Sequence, residues 1–206
     1  MMRISSQVLS YLINPLLLTT VFGYLLAEQF PVIMVPSPLL TNILLGVLFV
    51  VTFVLPVISL LMMQKMGIIS DLMISERVQR TVPLLYTSVI YIAAGVVIFR
   101  DNRMNNFHIS ELLFLVAGLM VIAGGITRYW KISAHALGVG GVVGVLCRLV
   151  FSFYGIEYIY ALIIALLLSG LVMSARLYLG AHSLTQVLVG FALGGVYAYV
   201  TSLYIL

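Results

Sequence analysis

Residues 157–206 read EYIYALIIALLLSGLVMS (157–174), ARLYLGAHSL (175–184) and TQVLVGFALGGVYAYVTSLYIL (185–206). Two apolar stretches flank a short polar turn that holds Arg176 and His182. A spanning helix needs about 20 predominantly apolar residues, within a range of roughly 17–25, and both stretches meet that requirement. Outward from this pair, the pattern recurs at roughly 8–27, 42–63, 83–99, 111–127 and 136–153. Six to seven membrane helices are therefore expected, seven on this count, with 83–99 and 111–127 the shortest. The whole chain of 206 residues is 63% hydrophobic and 8% charged, with a mean hydropathy of +1.22. A soluble domain carries about 25% charged residues. The fold class that follows is all-α: a polytopic transmembrane helical bundle, one integral membrane domain over 1–206, with almost nothing left for a linker or a soluble domain.

Several function classes drop out. The first apolar stretch is interrupted by Asn14 and Pro15, runs on to Glu28 and lacks a small-residue cleavage site, so it is not read as a cleaved signal peptide. The single Cys147 rules out an intramolecular disulfide. Three histidines without HxxxH or CxxC spacing give no metal motif, and no P-loop or GxGxxG is present. The net charge of +4 is scattered over helix ends, which argues against nucleic acid and for a phosphate-bearing or anionic lipid partner. The sequence sets no oligomeric state.

Three polar clusters remain: Arg77 with Arg80, Lys131-Ile132-Ser133-Ala134-His135, and Arg176 with His182 and Gln186. With seven spans, the loops at 64–82, 128–135 and 175–184 share one side of the membrane with the N-terminus. That side then carries Arg3, Lys65, Arg77, Arg80, Arg128, Lys131 and Arg176; the other carries Arg100, Arg103 and His108, read as a solvated loop with Asp101. Positive charge would place the first side in the cytoplasm. Five of its cations (Arg77, Arg80, Arg128, Lys131 and Arg176) lie in or beside the three clusters, however, so charge does not decide the orientation.

The residue types suit phosphoryl chemistry. A phosphoryl group spreads negative charge over three oxygens, so positioned cations and donors do most of the catalytic work. Arginine presents a planar fork for two of those oxygens. Histidine titrates near neutrality, so one imidazole can attack while another donates a proton. In order and spacing, Arg77-x2-Arg80-x2-Pro83, Ile132-Ser133-Ala134-His135 and Ala175-Arg176-x5-His182-x3-Gln186 resemble the three motifs of the type 2 phosphatidic acid phosphatase superfamily, membrane lipid phosphatases related to vanadium haloperoxidases. The resemblance covers roughly residues 65–206. It implies that His182 attacks phosphorus to form a phosphohistidine and that His135 protonates the leaving oxygen. Arg176, Arg77, Arg80, Lys131 and Ser133 would hold the phosphoryl oxygens, with no metal or other cofactor.

This chain departs from the family pattern at informative positions. Gln186 stands where the family has an aspartate that orients the nucleophilic histidine; its amide oxygen can accept an imidazole N–H but brings no negative charge. Glu76 or Asp71 could supply that charge from another segment, and restoring aspartate at 186 is the sharper test than glutamate. The family's first-motif lysine has no counterpart, and Val82 precedes Pro83.

Structural readings stand beside these. Ser183-Leu184-Thr185-Gln186 fits a capping box and can coexist with orienting His182. Arg77 and Arg80 could snorkel to headgroups or pair with Glu76. Gly138, Gly140, Gly141, Gly144, Gly190 and Gly194 are expected to permit close helix packing that draws the two histidine-bearing helices together. Arg148, deep in an apolar stretch, is expected to pair with Glu157. The function implied is an integral membrane lipid phosphatase in a bacterial inner (cytoplasmic) membrane. Its substrate would be a phosphorylated lipid: a polyprenyl diphosphate, phosphatidic acid, phosphatidylglycerol phosphate or a lipid A-like molecule. The alternative is a catalytically impaired relative that binds or translocates a phospholipid. A small-anion transporter fits less well, because the two halves show no matching interrupted helices.

Overall fold

The computed structural model describes residues 6–8, 10–11, 13–29, 38–100, 109–153 and 156–205. The expectations for Arg3, Asp101, Arg103 and His108 lie outside them. Among the described residues the protein is all-α, with eight α-helices and six stretches long and apolar enough to cross a membrane. The helices are α1 (Pro15–Gln29), α2 (Pro38–Phe49), α3 (Leu55–Lys65), α4 (Thr81–Arg100), α5 (Ile109–Thr127), α6 (Ala134–Phe153), α7 (Ile156–Tyr178) and α8 (Leu184–Ile205). A single π turn, Val50–Val54, joins α2 to α3 in one span, and a 3₁₀ turn, Arg77–Arg80, leads into α4.

The lengths differ from expectation in an instructive way. The regions read as shortest, 83–99 and 111–127, form spans of 24 and 19 residues (Arg77–Arg100 and Ile109–Thr127). The first stretch falls short instead. Asn14 Oδ1 accepts the N–H of Leu16 at 2.9 Å, and Pro15 occupies the first helical position, where its missing N–H costs nothing. The chain therefore restarts a helix at Pro15, and α1 has 15 residues, about 22 Å at the α-helical rise against a hydrocarbon core of about 30 Å. Asn14→Ala is expected to cost about 1 kcal/mol, read as a lower melting temperature in detergent.

Packing sorts the chain into two compact units, Met1–Leu18 with Lys131–Leu206, and Thr19–Trp130. In the second unit, Gly95 of α4 receives the Phe114 ring of α5, and Gly23 of α1 lies against Leu48 and Leu112. Its π turn has a local cause. Pro56 has no N–H to give the carbonyl four residues back, Thr52, so that carbonyl accepts the Tyr91 hydroxyl at 2.9 Å. Tyr91 is fully buried, and Thr52 Oγ1 meets Thr20 Oγ1 at 2.6 Å and the Leu48 carbonyl at 2.9 Å. In hydrocarbon an unsatisfied carbonyl is costly. Tyr91→Phe is accordingly expected to lose about 1–3 kcal/mol, measured by thermal unfolding.

In the first unit, α6 and α8 run parallel, with α7 returning the chain between them. The glycines decide the distance of approach. A Cβ on Gly140, Gly144 or Gly194 would overlap the carbonyl oxygen of Phe191, Gly195 or Leu137, and one on Gly190 would lie 3.0 Å from the Ser133 carbonyl. The expected close packing is present, backbone against backbone. Phe151 closes the far end edge-on against Tyr199, with ring centroids 6.5 Å apart.

Candidate active site

The Arg-x5-His-x3-Gln spacing is a helix end followed by a helix start. Gly180 takes φ +63°, the left-handed conformation that glycine tolerates without a Cβ penalty. Its N–H donates to the Leu177 carbonyl at 2.9 Å, and the N–H of Ala181 donates to the Arg176 carbonyl at 3.1 Å. This pair of bonds is a Schellman closure of α7. It places Arg176 in the last turn of one helix and His182 immediately before the cap of the next. Ser183 then caps α8. The N–H of Ser183 donates to Gln186 Oε1 at 3.1 Å, the N–H of Gln186 donates to Ser183 Oγ at 3.4 Å, and the first helical bond runs from the Val187 N–H to the Ser183 carbonyl at 3.2 Å. The capping box legible in the sequence is formed.

Gln186 also serves His182. The imidazole is buried, 7% exposed, with Nδ1 3.3 Å from Gln186 Oε1. A backbone N–H can only donate, so the side-chain atom that accepts from Ser183 is the amide oxygen, and Nδ1 must be the protonated ring nitrogen. In the neutral ring the lone pair then sits on Nε2. At 3.3 Å this bond is at the long end of the range for N–H···O, and its acceptor is neutral. Arg176 is half-buried, and its Nε is a buried donor without a hydrogen-bond partner. A permanently charged guanidinium with a desolvated, unspent N–H favours an anion.

The Lys131–His135 cluster is tied to the Arg176–His182 turn through the backbone. Ser133 is fully buried and caps α6, its hydroxyl accepting the N–H of Ala136 at 3.3 Å, while its own N–H donates to the Gln186 carbonyl at 3.4 Å. Two helix N-termini, each with a partial positive charge, thus lie side by side, with His135 in the first turn of one and His182 just ahead of the other. Lys131 lies half-buried in the approach to α6. His135 carries a partner that the sequence did not reveal: Nε2 donates to the carbonyl of Ser10 at 3.1 Å. That carbonyl belongs to the helical segment before the Asn14-Pro15 break, where a helix end leaves its last carbonyls without internal donors. Leu18 and Pro15 run on against Gly138. The amino-terminal segment, outside the 65–206 core that carries the motifs, is therefore part of the setting of His135.

The first cluster belongs to the other unit and is engaged there. Arg77 Nη1 donates to the Thr127 carbonyl at 3.3 Å and to the Arg128 carbonyl, capping the C-terminus of α5. Arg80 Nε donates to the Ile74 carbonyl at 2.7 Å. Ile74 holds φ +48°, an outlier for a β-branched residue, so Arg80 braces a strained turn. Glu76 accepts from Gln79 at 3.2 Å rather than from Arg77. Asp71 accepts the N–H of Ser75 at 3.2 Å. The two carboxylates considered as substitutes for the family aspartate are thus engaged within their own loop. Arg77→Gln is expected to lower stability by about 0.5–1.5 kcal/mol through the lost C-cap, measured as a melting shift.

One expected pair is not formed. Arg148 Nη1 donates to Ser152 Oγ, whose hydroxyl in turn donates to the Arg148 carbonyl at 3.0 Å; Glu157 is exposed in the first turn of α7. An acidic side chain is stabilised at a helix N-terminus by the macrodipole, and a serine one turn on in the same helix is nearer to Arg148 along the chain than any acid. No protein-family model, curated protein or solved structure matches this chain.

Proposed function

We propose that the protein is a lipid phosphatase of the type 2 phosphatidic acid phosphatase kind, hydrolysing a phosphomonoester or diphosphate of a membrane lipid through a phosphohistidine at His182. The six apolar spans make it an integral membrane protein; residence in a bacterial inner membrane belongs to the proposal. The observation that carries it is the α7–α8 turn. It presents a histidine whose Nδ1 is held by a fixed acceptor, His182 to Gln186 Oε1, and an arginine whose buried Nε lacks a partner. In this mechanism the Nε2 lone pair attacks phosphorus, the ester P–O bond breaks with its electron pair on the leaving oxygen, and water later hydrolyses the P–N bond. Arg176 and the two helix N-termini offset the charge on the phosphoryl oxygens. His135 supplies the proton for the leaving oxygen. With Nε2–H committed to Ser10, donation from Nδ1 requires the imidazolium form.

A second reading, a relative that binds or translocates phospholipid without cleaving it, draws on one specific observation. The orienting acceptor of His182 is a neutral amide at 3.3 Å, which does not offset the positive charge an attacking imidazole develops. Phosphate release from detergent-solubilised polyprenyl diphosphate, phosphatidic acid, phosphatidylglycerol phosphate and lipid A separates the two. Release from at least one, lost on chelator-insensitive controls only when His182 is replaced, supports the phosphatase; silence across the panel supports the binder.

The geometry also revises the sharper substitution. Gln186 Oε1 accepts from both His182 and the Ser183 N–H, and glutamate places an oxygen at the same reach, whereas aspartate is one methylene shorter. Gln186→Glu should keep the capping box and raise turnover by at least about tenfold, given that a carboxylate-to-amide change in the serine-protease triad lowers turnover by about 10⁴. Unchanged turnover with an unchanged melting temperature would confine Gln186 to capping.

A further inference from the structure

We propose that Arg148 anchors a second anion site, remote from His182, that takes the phosphate of an anionic lipid headgroup. Arginine stays charged in any protein environment, and a charged side chain in a spanning helix needs a partner or a route to the interface. Among the described residues Arg148 has no carboxylate partner. Its one side-chain bond is to Ser152 Oγ, and its Nε is buried without an acceptor. Glu157, the acid nearest along the chain, is exposed and not paired with it.

Position identifies the ligand. Arg148 lies five residues before the end of α6 at Phe153, so its Cα is about 7–8 Å along the helix from that end, within reach of a guanidinium that snorkels. His135 is thirteen residues back, about 20 Å away along α6, so the two sites cannot share one phosphate. Arg148 also follows Gly144 by one turn on the face that abuts α8, and the Phe151–Tyr199 contact borders that seam. A phosphodiester lipid at this level brings an acceptor with two oxygens to the fork and apolar chains to the surrounding helices. Phosphatidylcholine answers the requirement less well, because its phosphate carries its own cation. The inference is independent of the phosphatase reading.

Native mass spectrometry of the full chain, released from detergent with added phosphatidylglycerol, phosphatidylcholine or inorganic phosphate, tests it, alongside thermal unfolding with the same additions. Wild type should retain phosphatidylglycerol in preference to phosphatidylcholine and melt higher with it. Arg148→Gln should bind one lipid fewer, with about tenfold weaker affinity for that site. Arg148→Lys, which keeps the charge and loses the fork, should fold and bind with intermediate affinity. Arg176→Gln should retain the Arg148-dependent lipid. Equal lipid retention by wild type and Arg148→Gln would overturn the site, as would equal preference for the two lipids. Wild-type affinity in Arg148→Lys would overturn bidentate recognition. A melting shift from inorganic phosphate that Arg148→Gln abolishes would make the ligand a free anion and overturn the lipid assignment.

Discussion

Replacing His182 by alanine is expected to end phosphate release, lowering turnover at least about 10⁴-fold, because removal of a covalent nucleophile leaves only binding and electrostatic effects. The fold should survive. Gln186 keeps its bond to the Ser183 N–H, and Ser183 Oγ keeps the Gln186 N–H, so the start of α8 stays capped. What is lost is one neutral hydrogen bond and the packing of a buried ring, about 1–3 kcal/mol. Gln186→Ala makes the contrast: it removes the cap and the orienting acceptor together, so stability falls by about 1 kcal/mol and turnover falls as well, though less than with His182→Ala. Steady-state phosphate release and a melting curve on the same preparations check both. Loss of turnover that tracks loss of fold would refute the assignment of His182 as nucleophile.

The second large effect concerns the glycines between α6 and α8. In an exposed helix, glycine to alanine is worth up to about 1 kcal/mol of added stability. At Gly140, Gly144 and Gly194 the sign should reverse, since a Cβ would fall on a backbone carbonyl oxygen of the facing helix. Backbone cannot swing aside as a side chain does; the helices must separate. Alanine at any of the three should destabilise by about 3 kcal/mol, the upper end of ordinary overpacking, and leucine by more. Gly170 in α7 is the control, with nothing within 4 Å of a built Cβ, so Gly170→Ala should be neutral or mildly stabilising. Because the Ser133–Gln186 link sits at the end of the same interface, the alanine variants should also lose phosphate release.

What the sequence disclosed follows from the range of the interactions involved. Six of the seven apolar stretches, the capping box at Ser183 and Gln186, and the glycine stripes are local or periodic, and each is formed. The bond from His135 to the Ser10 carbonyl spans 125 positions and uses a backbone acceptor that any residue would offer, so no residue type signals it; only the Asn14-Pro15 break marks where that carbonyl is exposed. Arg77 caps a helix fifty residues on, again through carbonyls. Composition cannot tell such an arginine from one that binds phosphate. The Arg148–Glu157 expectation paired two charges by proximity in sequence, yet each is better accommodated within its own helix, by a serine or by a helix N-terminus. Arg77 and Arg80 each hold a backbone carbonyl of their own unit, whereas the Nε of Arg176 is unspent.

Trapping the covalent intermediate tests the central claim most directly. Wild type incubated briefly with a ³²P-labelled phosphorylated lipid and quenched in alkali should carry label that is stable to base, released by acid and mapped to His182. Gln186→Glu should change its rate of formation and His182→Ala should carry none. Lipid hydrolysis by His182→Ala at the wild-type rate, or label mapped to another residue, would contradict the account.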